Sequence, residues 1–253
     1  VEQRTDLYNP KPTTSPPPDA PLHVPWTRRD LILTLVLGVV LSVGLTLVVL
    51  LGTTLFGRAT GHRLPTQVTG ALSIVAELSL LLPVWWFGLR RYHLGWRSIG
   101  FRDCNRLRAL GLCCLFIISV YAANAVWGVL LALLHMQSQR DLTSLFGRGW
   151  PGLALALLTG SIAAPLAEEA FFRGFVFAGL QRRIGLRRAL WLSAIVFALV
   201  HVQPSAMPPI LVLGVLLASL YEQTGSLWPP ILLHAFINTF SILLLYAATL
   251  LPR

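Results

Sequence analysis

PGLALALLTGSIAAPLAEEAFFRGFVFAGLQ, residues 151–181, is an apolar run long enough to cross a bilayer as a helix, yet it carries Glu168, Glu169 and Arg173. About 20 residues at about 1.5 Å each suffice for a roughly 30 Å hydrocarbon core. Charges at that depth cost free energy unless they are paired or face a wet cavity, so an ionisable cluster there is a functional-site hypothesis. Neighbouring helical residues point about 100° apart, whereas residues four apart share a face. Glu169 therefore pairs with Arg173, which leaves Glu168 as the freer acid.

Working outward, 55% of the residues are hydrophobic and 12% charged, with a mean hydropathy of +0.69. Ordinary soluble domains are nearer a quarter charged, so the chain reads as an all-α, polytopic transmembrane helix bundle of about seven to eight helices. The net charge of +10 does not point to nucleic acid, because the basic residues fall mostly between apolar runs, where they set orientation. Cys104, Cys113 and Cys114 lack CxxC spacing, which argues against a disulfide framework or a cysteine metal site.

Residues 1–26 are Pro-rich and polar and read as a disordered cytoplasmic tail rather than a cleaved signal peptide. Residues 27–253 form the transmembrane domain. Its expected helices cover 31–56 with Asp30 as N-cap, 67–89, 107–134, 151–181 with a kink at Pro165, and 228–251. Apolar runs at 189–202 and 210–221 are short for full spans, and the sequence leaves open whether they cross or form a hairpin within the protein. With the N-terminus inside, fourteen basic residues fall on the inner side. Five (Arg58, Arg63, Arg140, Arg148 and Arg253) fall outside, and Arg173 lies within a span. Glu77, alone in the second helix, reads as a structural hydrogen-bonding group.

Further polar residues recur in the later apolar segments. Phe197 and His201 share a helix face, as do His234 and Asn238. Counted from the inner arginines, Glu168 and His201 lie at roughly 21 and 20 Å, while His234 and Asn238 lie roughly 9 and 15 Å past Trp228. All four converge if a helix tilts or kinks. A carboxylate beside a histidine suits activation of water, and an imidazole one turn from an amide suits a developing oxyanion.

EEAFFR at 168–173, FALVH at 197–201 and HAFIN at 234–238 resemble the EExxxR, FxxxH and HxxxN motifs of the CPBP intramembrane proteases. That family includes CAAX-processing endopeptidases and bacteriocin-immunity or self-protection proteins, and the resemblance covers about residues 110–251. It implies that Glu168 and His201 activate the attacking water and that His234 and Asn238 stabilise the oxyanion. Glu169 and Arg173 would then support the site, with Phe197 packed beside it. LGWRSIGFR at 94–102 is also similar to a loop upstream of the family's motifs.

The resemblance places the protein in the cell membrane as a multi-pass endopeptidase, with the bilayer and a peptide or protein substrate, prenylated or not, as partners. A non-catalytic scaffold or immunity protein is the alternative. The cofactor is none or Zn2+: Glu168, His201 and His234 could supply zinc ligands, but the HExxH arrangement is absent.

Overall fold

The computed structural model describes residues 24–62, 64–136 and 142–250. Arg4, Lys11, Arg63, Arg140, Arg253 and most of the expected tail lie outside them. Among the described residues there are seven long helices and no strands. They are α1 Arg28–Thr60, α2 Thr66–Arg90, α3 Arg106–Leu133, α4 Gly149–Ile184, α5 Leu186–Val200, α6 Pro204–Thr224 and α7 Trp228–Leu250. All but α5 are long and apolar enough to cross a membrane.

The structure resolves the two short segments differently from each other. α6 has 21 residues, whereas α5 has 15, about 22 Å, and ends just before His201. The two pack closely along one another, and Gly214 allows it. A Cβ there would stand 3.1 Å from the Ala194 Cα. α5 ends at Val200, and His201, its C-cap, comes within 4.0 Å of Glu168.

α4 is the central helix, with every residue from Glu169 to Gly179 buried. Phe171, Phe172, Phe175 and Phe177 fill the main core. α1, by contrast, leaves Ile32, Val36, Val40, Leu47, Leu51 and Leu55 on the surface, as a lipid-facing helix does. The interruption at Pro165 takes the form of wide π-helical turns over Leu158–Ala163 and Ala170–Phe177, with an α-helical turn, Ala164–Glu169, between them.

Two expectations at the N-terminus need correction. Thr27, not Asp30, is the N-cap of α1. Asp30 is the third helical residue of a capping box, its carboxylate accepting from the Thr27 backbone at 2.7 Å. The tail is also not disordered up to residue 26, since Val24 and Trp26 are fully buried. Trp26 stacks on Phe175 with ring centroids 4.5 Å apart, and Arg182 and Arg183 donate to the carbonyls of Val24 and Trp26. Apolar surface on Trp26, flanked by arginines on α4, outweighs the polar composition of the residues before it.

The 94–102 loop closes the same region from the other side. The Leu227 N–H donates to the Gly100 carbonyl at 2.7 Å, Ser226 Oγ to the Arg102 carbonyl, and Tyr221 Oη to the Ile99 carbonyl. Gly100, at φ +111°, turns the loop where a side chain would strike Tyr221. Ser226 and Leu227 are fully buried beneath it. The residues just before α7 are thus anchored to the loop, while Trp228, its first residue, is exposed.

Candidate active site

Glu168 and Glu169 leave α4 in different directions. Glu169 is fully buried, and its Oε1 accepts from Arg173 Nη1 at 2.8 Å and from His234 Nδ1 at 2.9 Å. Glu168 keeps 12% side-chain exposure, and its Oε2 lies 4.0 Å from both His201 Nε2 and His234 Nε2. That oxygen has no hydrogen-bond partner. Burying an acceptor unpaired is costly, so this is a group held ready rather than one consumed by the fold.

The two imidazoles are oriented through their other nitrogens. His201 Nδ1 lies 2.7 Å from the Phe197 carbonyl, which can only accept, so Nδ1 carries a hydrogen and Nε2 is left facing Glu168. The same logic applies to His234, whose Nδ1 donates to Glu169. His201 retains 28% exposure and His234 only 3%. Access to the cluster is therefore from the Glu168 and His201 side.

Arg173 ties three helices together. It bonds Glu169, donates from Nη2 to the Gly214 carbonyl of α6 at 3.2 Å, and sits 4.2 Å above the Phe197 ring of α5. Phe197 also meets His201 and His234 edge-on at 4.7 and 6.0 Å. It is more than filler, for its face takes the cation while its rim aligns both imidazoles.

Asn238 is placed differently from the others. Its Nδ2 donates to the Gly160 carbonyl at 2.7 Å, which leaves its second N–H for other use. The residues that sequence reasoning missed are Gly160 and Gly214, visible there only as single glycines in apolar runs. It also missed the part played by Glu77. No hydrogen bond to the Glu77 side chain occurs among the described residues; instead it comes within electrostatic reach of Glu168, carried by an α2 segment that packs on α4 between 158 and 169.

Glu168 Oε2 and the two Nε2 atoms have the chemistry of zinc ligands, with the far imidazole nitrogens anchored as ligand histidines are. The spacing does not close on an ion, since among the described residues no three His, Cys, Asp or Glu side chains are placed to hold one. No chemical step is therefore routed through a metal.

Comparison with known proteins bears on the same stretch. Residues 150–240 match the family model described as type II CAAX prenyl endopeptidase Rce1-like. The Bacillus subtilis (strain 168) protein named "Putative membrane peptidase YdiL" is 30% identical over 90 residues, 36% of this chain and 37% of that protein. The alignment thus spans well under half the length of this curated relative. No solved structure matches the chain.

Proposed function

We propose that the chain, whose residues 150–240 match the type II CAAX prenyl endopeptidase Rce1-like model, is an intramembrane endopeptidase of the CPBP kind that its motifs resemble, hydrolysing peptide bonds with a water activated by Glu168 and His201. The observation that carries this reading is the unpaired Glu168 Oε2 between two imidazole Nε2 atoms. At 4.0 Å the groups are too far apart for direct hydrogen bonds but suitably spaced to share a water.

In this reading the water donates to Glu168 Oε2 and His201 Nε2. Glu168 takes its proton as the oxygen attacks the peptide carbonyl, and the proton then passes to the leaving amine. The oxyanion forms beside His234 and the second N–H of Asn238. Glu169 at Nδ1 fixes the His234 ring so that Nε2 faces the reacting carbonyl. Arg173 holds Glu169 in place, and Phe197 packs against both rings. The substrate is a peptide segment, prenylated or not, that enters from the inner leaflet or cytoplasm, with the N-terminus of the chain cytoplasmic.

The test is cleavage of a fluorogenic CAAX-type peptide, prenylated and unprenylated, by purified wild type and Glu168→Ala, with and without exhaustive chelation. Wild-type cleavage that survives chelation and disappears in Glu168→Ala is the expected result. Loss on chelation with recovery on zinc addition overturns the metal-free chemistry. Equal cleavage by both proteins rejects Glu168 as the base, and no cleavage by either favours a binding or immunity role.

A further inference from the structure

Asn238 donates to a backbone carbonyl of another helix, and the reason lies in Pro165. Within the π-helical turns of α4 the Ala164 N–H bonds to the Thr159 carbonyl, five residues back. In that register the next donor would be the N–H of residue 165, and the next acceptor the Gly160 carbonyl. Proline has no N–H. The π-helical stretch ends there, and the Gly160 oxygen loses its intrahelical partner. That oxygen receives Asn238 Nδ2 at 2.7 Å instead.

Gly160 permits the approach, because α7 lies directly against it: a Cβ there would stand 2.8 Å from Ile242 Cδ1. α7 thus grips α4 twice from a single face. His234 bonds Glu169, and Asn238, one turn further on, bonds Gly160. The two grips bracket Pro165 and the short α-helical turn, Ala164–Glu169, that presents Glu168.

We propose that Asn238 is a positioning residue for Glu168. By supplying the hydrogen bond that Pro165 cannot, it holds the proline turn of α4 at the spacing that aims Glu168 between the imidazoles. This rests on the peptidase reading above and deepens it, since the amide has a second N–H for an oxyanion. The chemistry is that of a side-chain amide completing a proline-broken helix across an interhelical contact.

A double-mutant cycle between Asn238→Ala and Pro165→Ala tests it. Pro165→Ala restores a backbone N–H that can satisfy the Gly160 carbonyl from within α4. Asn238→Ala in the Pro165 background should lower Tm by roughly 2–6 °C, the effect of one orphaned buried carbonyl. It should also lower kcat by about a hundredfold with little change in KM, as a misplaced catalytic group does. In the Pro165→Ala background both losses should shrink, with kcat recovering about tenfold over the single variant.

Additive Tm changes overturn the clamp. Tm recovery without any recovery of kcat overturns the positioning role and leaves Asn238 acting on the oxyanion alone. Asn238→Leu, close in size but without a donor, should behave as Asn238→Ala does, which keeps the test intact if the alanine variant folds poorly. The Tm arm needs no substrate, so it stands even where the peptidase reading fails.

Discussion

Adjacent glutamates carry opposite burdens in this protein. Glu168 Oε2 has no hydrogen-bond partner among the described residues, so Glu168→Gln should leave Tm within about 2 °C of wild type while lowering kcat by about 10²–10⁴-fold, the range for a lost general base. Thermal scanning in detergent beside a peptide-cleavage assay reads both. Glu169→Gln strands Arg173, which is 2% exposed, and removing one partner of a buried ion pair costs about 3–5 kcal/mol. Stability and activity should therefore fall together. A Glu169→Gln protein as stable as wild type but wholly inactive would instead show Glu169 acting in the chemistry itself.

The spacing rule that separates the glutamates is local and was readable in the sequence, as was the pairing of Glu169 with Arg173. The bond from His234 to Glu169 was not, because it joins residues 65 apart and depends on where α7 begins. Asn238 shows the same limit. Its face was predictable, but its partner carbonyl is exposed by a proline on another helix.

Between elements, close backbone approach and one buried aromatic carry the geometry. Gly214→Ala gains about 1 kcal/mol of helix propensity, but the new methyl would stand 3.1 Å from the Ala194 Cα. Overpacking of that kind costs about 1–3 kcal/mol. The net effect should be a modest fall in Tm with a larger loss of activity, because α6 also supplies the Gly214 carbonyl to Arg173 and α5 carries His201. Activity undiminished in Gly214→Ala would show that the α5 and α6 contact does not align the site.

Trp26 gives a second test between elements. As part of a disordered tail it would be indifferent to substitution, whereas a buried ring stacked on Phe175 should cost about 3–5 kcal/mol on conversion to alanine. Thermal scanning of Trp26→Ala decides between the two. Composition over a 26-residue window hid this ordering, because a single tryptophan contributes little to an average while contributing much to a core.

For the molecule as a whole, the open quantity is orientation in the membrane. Among the described residues twelve arginines flank one set of helix ends and two, Arg58 and Arg148, the other, and the positive-inside rule makes the first set the expected cytoplasmic side. A membrane-impermeant thiol reagent applied to intact cells should spare Arg187→Cys in a cysteine-free background and label Arg58→Cys; permeabilisation should expose the former. Labelling in the reverse pattern would invert the topology and move the entrance to the site to the other leaflet.

From the sequence alone came the apolar helices, the bounds of most of them and the residues of the cluster, because hydropathy and i, i+4 spacing are properties of neighbouring residues. Only the tertiary structure decided that α5 brings His201 to Glu168 and that Leu227, just before α7, is held by Gly100 of the 94–102 loop. It also decided that Trp26 belongs to the core and that Asn238 completes the turn Pro165 breaks. Each of these depends on which helix lies beside which, and at what depth. Packing sets those relations, and no window of sequence contains them.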